Sequence, residues 1–157
     1  MATPGLESRH YLQAWHFLRE HGEQAPDDVA KDVLGIVVET SLRGGLDVLA
    51  VYADGSARYY NHAGGGGVLE HAEGSFAELI DALLAAAADV VARIGPWEGT
   101  KPGSPRRGHT RLSFLTPSGL HFGEGPTKAL QDDPLAGLVL RGATAAIAEI
   151  AASATRG

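Results

Sequence analysis

Cysteine is absent from the chain, which removes disulfides, thiolate metal sites and a cysteine nucleophile together and fits a reducing, cytoplasmic setting. Aromatic residues are scarce at 6%, so a core has to be assembled from Ala, Val, Leu and Ile. Basic residues are also few: 13 Lys and Arg stand against 19 Asp and Glu, a formal net charge of -6. That balance opposes attraction to phosphate backbones and argues against a nucleic-acid partner. Long apolar runs are missing as well. No segment supplies about 18 apolar residues free of charge, and the opening MATPGLESRHYLQAWHFLREHG lacks a basic region leading into an apolar run. Neither a membrane partner nor export is expected.

Glycine, by contrast, is abundant, with 21 among 157 residues. A chain of this length suits a single domain and can bury about 70% of its unfolded surface. Ser8 reads as a helix N-cap, followed by Tyr11, Leu12, Trp15 and Leu18 at helical spacing until Gly22. A polar connector over 23–32 leads to β-branched runs at 33–42 and 46–53, and a third run continues to His62. Asp54-Gly55 between the second and third runs signals a two-residue hairpin turn. SFAELI, with Ser75 facing Glu78, has the capping-box pattern and opens a helix whose apolar face runs from Phe76 through Leu83 and Val91 to Ile94. Residues 95–109 are too rich in Gly and Pro for either periodicity. A second hairpin turns at Pro117, Ser118 and Gly119, and a short helical piece follows Pro126. Asp133-Pro134 then signals a final helix over about 134–152, with Leu135, Leu138, Val139, Ala146, Ile147 and Ile150 inward.

This order predicts one α+β domain spanning 1–157, with an antiparallel sheet of about five strands in two hairpin units, three main helices, and flexible ends at 1–7 and 153–157. The alternation of leading helix, antiparallel hairpins, strong middle helix and closing helix loosely resembles the roadblock and profilin-like group of small domains. The resemblance implies a dimerising scaffold or regulatory adaptor.

Three constellations are candidates for function. Gly64 to Gly67 lie between His62 and His71, but no helix opens from them and no lysine follows in P-loop spacing, so they read as a mobile loop rather than a phosphate cradle. A hairpin through them sets His62 opposite Val68 and His71 near Tyr59, which keeps the histidines apart, so no metal site is expected. The Asp54-Gly55 turn, taken as a two-residue loop, sets Val51 opposite Arg58, Leu49 opposite Tyr60 and Asp47 opposite His62. An Asp beside a His orients the imidazole, which suits general-base chemistry and equally suits a surface charge pair. With Gly65 and Gly66 as a lid, Asp47, Tyr60 and His62 form one candidate small-molecule pocket. In the long loop Trp97, Lys101, Arg106 and Arg107 offer an aromatic anchor with positive charge, a combination suited to clamping an acidic partner.

The remaining histidines are scattered: His10, His16 and His21 are not spaced as i, i+4 ligands, and His109 and His121 fall at opposite ends of the second hairpin. Ser113 and Ser118 lack a nucleophile-elbow context. The expected function is therefore a cytoplasmic, non-catalytic protein-binding or regulatory domain, homodimeric and without a cofactor. A small-molecule sensor or small enzyme at the Asp47 pocket is the alternative. An immunity or defence component is a further one, because acidic domains neutralise basic partners.

Overall fold

The computed structural model describes residues 8–71, 73–98 and 103–156. The elements are α1 (Ser8–Glu20), β1 (Gly35–Leu42), β2 (Gly45–Tyr52), β3 (Ala57–Tyr60), β4 (Gly66–Leu69), α2 (Gly74–Val91), β5 (His109–Thr116), β6 (Gly119–Pro126), α3 (Thr127–Asp132) and α4 (Ala136–Arg156). The strands form one sheet in the order β4-β3-β2-β1-β5-β6 with every neighbouring pair antiparallel, so the expected α+β class is the observed one. Residues 1–7 lie outside the described residues, while α4 continues through Arg156.

One sheet face carries Ile36, Val38, Leu49, Val51, Ala57, Leu112 and Phe114 and is closed by Phe76, Ile80, Leu83 and Val91 of α2 and Val139, Ala143, Ala146 and Ile150 of α4. Strand alternation puts every second residue on this face, and the helices supply the 3.6-residue stripe that covers it. Gly142 lets α4 approach α2 closely, since a Cβ there would come within 2.9 Å of Leu83. Leu138, expected inward, is 47% exposed on the outer side of α4. Among the described residues α4 is the one helix long and apolar enough to cross a bilayer; it carries Arg141 and Glu149 and lies against α2 and the sheet.

Two local readings need correction. The β2–β3 turn holds three residues, not two: Tyr52 N–H donates to Ser56 O and Gly55 N–H to Tyr52 O. A two-residue type I′ turn requires positive φ at both central residues. Only Gly55 supplies it (φ 90), and no non-glycine residue among those described has positive φ. Asp54 instead accepts hydrogen bonds on Oδ1 from Ser56 N–H (2.9 Å) and Ser56 Oγ (2.6 Å). The register therefore slips by one, pairing Leu49 with Tyr59, Ala50 with Arg58 and Val51 with Ala57. Such a slip exchanges the two faces.

The glycine run, expected to be mobile, supplies a sixth strand. Asn61 closes the turn before it, its Oδ1 accepting from Ala63 N–H (3.0 Å) and Gly65 N–H (2.8 Å), and Gly66 and Gly67 then pair with Tyr60 and Tyr59. A Cβ on Gly66 would lie 1.9 Å from the Tyr59 carbonyl oxygen, so glycine is required there by close approach of two backbones.

At the helix ends, the capping box does not form: α2 begins at Gly74 with Glu73 as its cap and no side-chain cap bond. Its C-terminus is held by Lys31 Nζ, which donates to Val91 O (3.2 Å) and Ile94 O (3.3 Å), a cation on the negative end of the helix dipole. Asp133 performs as its sequence context suggests, accepting on Oδ1 from Leu135 N–H and Ala136 N–H at 2.9 Å each.

Asp133→Ala should cost about 1 kcal/mol in urea unfolding, the usual value of a lost N-cap. Gly66→Ala should cost more, toward the upper end of the usual about 0.5–3 kcal/mol range, because β4 must separate from β3. Equal midpoints for Gly66→Ala and the parent would show that the close approach is not required.

Candidate functional site

Asp47 sits at the end of β2 beside the β3–β4 turn. Its Oδ1 accepts from His62 N–H (2.7 Å) and from His62 Nδ1–H (3.0 Å), and its Oδ2 accepts from Tyr59 Oη (3.3 Å). The expected Asp47–His62 pair thus exists, although the register that suggested it does not. The Asn61 turn bends the chain back and carries His62 over the β1–β2 turn, where Gly44 and Gly45 leave room for its ring. Tyr60, expected in this cluster, lies on the opposite sheet face, and Tyr59 takes its place.

Burial alone would raise the Asp47 pKa, but the side-chain and backbone hydrogen bonds from His62, its charge and the Tyr59 hydroxyl together hold it below the ordinary carboxylate value. Burial, then the neighbouring Asp47 charge, pushes the Tyr59 phenol up. Both bonds from His62 converge on one carboxylate oxygen, which is the arrangement of a turn clamp. Gly65 borders the Asn61 side chain and Gly66 is sealed against Tyr59, so neither glycine forms a lid. No group of three metal-ligating side chains occurs among the described residues.

The Trp97 loop is placed differently from its expectation. After α2 the chain rounds the outer edge of β6: Trp97 N–H donates to Leu120 O (2.6 Å), and the indole meets Phe122 edge to face at 5.0 Å. Gly108 N–H then donates to Ser41 O, at the opposite end of the sheet. The six strand positions from Leu120 to Pro126 span about 20 Å at about 3.3 Å each, so Trp97 and the exposed Arg106 and Arg107 do not converge. Lys101 lies outside the described residues.

Beneath this crossing lies a cluster that the sequence did not signal. Arg111 is 5% exposed; its Nε and Nη2 donate to Glu124 Oε1 (2.8 and 2.6 Å), and its guanidinium lies 5.5 Å from the Phe122 ring centroid. Glu39 (3.9 Å) and His109, 3.8 Å from Glu124, complete the group. Trp97, Phe122 and Arg111 therefore form one stack over β5 and β6 on the second sheet face, with Trp97, 46% exposed, as its outer layer.

The other half of that face stays open. Two rows of side chains cross it, Val37, Ala50, Arg58 and Val68 in one, and Glu39, Val48 and Tyr60 in the next. Tyr60 is 51% and Val68 49% exposed. A cleft of about 170 Å³ adjoins them, lined by Arg9, Asp54, Arg58 and His71 among others. Comparison with known protein families, curated proteins and solved structures finds no match. The roadblock and profilin-like resemblance accordingly gains no support beyond the shared α+β class.

The clamp reading of Asp47 makes a pH prediction. A folded pKa below the unfolded value, about 3.9, means that the carboxylate contributes stability above that pH and loses it as pH falls through the folded pKa. Asp47→Asn should therefore melt below the parent at pH 7, with the gap closing below about pH 4. A gap that persists unchanged at pH 3, by scanning calorimetry, contradicts an ionised clamp.

Proposed function

We propose that this chain is a non-catalytic regulatory or scaffold domain that associates with a second copy of itself through the open half of the second sheet face. The observation that carries the reading is the pair Tyr60 and Val68, large apolar side chains exposed together on a face whose other half the same chain covers with its Trp97 crossing. Burying such residues is favourable at about 25 cal/mol per Å². Arg58 and Glu39 lie within the same patch, so a two-fold arrangement can set each Arg58 against the other copy's Glu39. Local charge balance matters in a chain of net charge -6. The patch is small beside the about 800 Å² per partner of a stable complex, which points to weak, reversible association. A cytoplasmic setting fits the absence of cysteine.

A second reading has one observation in its favour, the formed Asp47–His62 hydrogen bond with the Tyr59 hydroxyl on the same carboxylate. It makes the cluster a small-molecule sensor or small enzyme. A His62→Ala protein with unaltered ligand binding and turnover would dispose of it.

Sedimentation velocity tests the preferred reading. The parent should show a concentration-dependent monomer–dimer equilibrium, and Tyr60→Glu should sediment as monomer with an unchanged circular dichroism spectrum. A parent that remains monomeric at millimolar concentration, or a Tyr60→Glu dimer as strong as the parent's, removes this surface from consideration.

A further inference from the structure

His121 is the one fully buried histidine among the described residues. It is 0% exposed, and neither ring nitrogen has a hydrogen-bond partner among the described residues. Buried polar side chains are nearly always paired, so an orphaned imidazole calls for a reason.

Its surroundings are a junction of three segments. The Pro117–Ser118 turn beside it is held by Arg19 of α1, which donates to Pro117 O, and by the connector, where Ala30 O accepts from Ser118 N–H (3.0 Å). Lys31 of the same connector ties the last carbonyls of α2. The residue before His121, Leu120, accepts the Trp97 N–H that fixes the crossing segment to β6. From β5 the ring's cross-strand neighbour is Phe114, which is apolar. The charged groups brought to this junction are Lys31 from the connector and Arg19 from α1, the latter also bordering Gly119, with the exposed carboxylate of Glu23 lining the cleft beside Arg19, Pro96 and Ser118 on the solvent side.

We infer that His121 is a proton-operated latch: a neutral ring lets the junction close, and a proton on it releases the Trp97 crossing from β6. A charged imidazolium in this place makes no well-formed hydrogen bond, has the Gly119 carbonyl as its one favourable backbone dipole, and lies near like charge. The segment nearest at hand to give way is the chain from α2 to Trp97, whose Ile94 carbonyl is tied to the same Lys31 and whose Trp97 N–H is tied to Leu120 beside the ring; its release brings water to the ring and frees the outer edge of β6. Desolvation by burial keeps the ring's pKa below the ordinary histidine value; the Gly119 carbonyl pulls the other way, and the Lys31 charge adds a smaller lowering effect. The unfolded or opened state thus binds the extra proton below about pH 6.5, so the latch is closed above that pH and weakens as pH falls toward the folded pKa.

Nuclear magnetic resonance on the intact protein reads the latch directly. The His121 ring signals and the Trp97 backbone amide should shift with one shared midpoint below the ordinary histidine range. Trp97 amide exchange, corrected for intrinsic rate, should accelerate by up to about tenfold per pH unit, the limit for one proton. The Leu49 amide, in the centre of the sheet, should be unaffected over the same interval. His121→Leu should abolish the Trp97 response, and Lys31→Met should move the shared midpoint to higher pH. The inference is overturned by a Trp97 amide that ignores the His121 titration, by Leu49 opening together with Trp97, or by a midpoint unmoved in Lys31→Met.

Discussion

Burial of the tight turn between β5 and β6 is the constraint on which the other elements depend. Pro117 is fully buried, an unusual state for a hairpin tip, and Thr116 Oγ1 spans the turn to Ser118 Oγ (2.9 Å) and Gly119 O (3.0 Å). A buried turn must have its backbone polar groups satisfied by the segments that cover it. Arg19 and Ala30 meet that demand, so α1 and the connector are held around the hairpin on the chain's way into β1. Lys31 then lies where α2 ends, and its bonds to Val91 and Ile94 anchor the far end of the core helix. One local turn thereby links the first helix, the sheet and the helical layer.

The second consequence is asymmetry of the outer sheet face. Because α2 ends beside β6, the chain returns to β5 by rounding that edge, and the Trp97–Phe122–Arg111 stack seals the side over β5 and β6. The same crossing occupies the outer backbone of β6 at Leu120, which blunts an edge otherwise open to strand addition. The far edge is protected differently: β4 is only four residues long and begins with two glycines. What remains open is the face over β2, β3 and β4, where Tyr60 and Val68 lie exposed on adjacent strands.

Much of the architecture could be read from local chemistry. Asp133 announced its helix because a cap acts within a few residues, and the second hairpin was plain from its Pro-Ser-Gly turn. The β2–β3 register was not legible, since Asp-Gly permits both a two-residue and a three-residue turn and the choice rests on the sign of φ at Asp54. That one residue moved Tyr60 out of the Asp47 cluster and Tyr59 into it. β4 was hidden because glycine carries no strand signal; its need at Gly66 comes from the Tyr59 carbonyl across the hairpin. Arg111 reads as a solvent-facing strand residue until the register sets it opposite Glu124. Trp97 and Arg106 share a loop in sequence, but that loop spans the length of a strand.

The proposed self-association uses the open half of the outer sheet face as its contact surface. A concentration series of amide correlation spectra tests it most directly, because every backbone position reports separately. Association through this face gives shifts that grow with concentration and are confined to β1 through β4, centred on Arg58, Tyr60 and Val68. Spectra that do not change with concentration, or shifts centred on the α2 and α4 surface around Leu138, would contradict it.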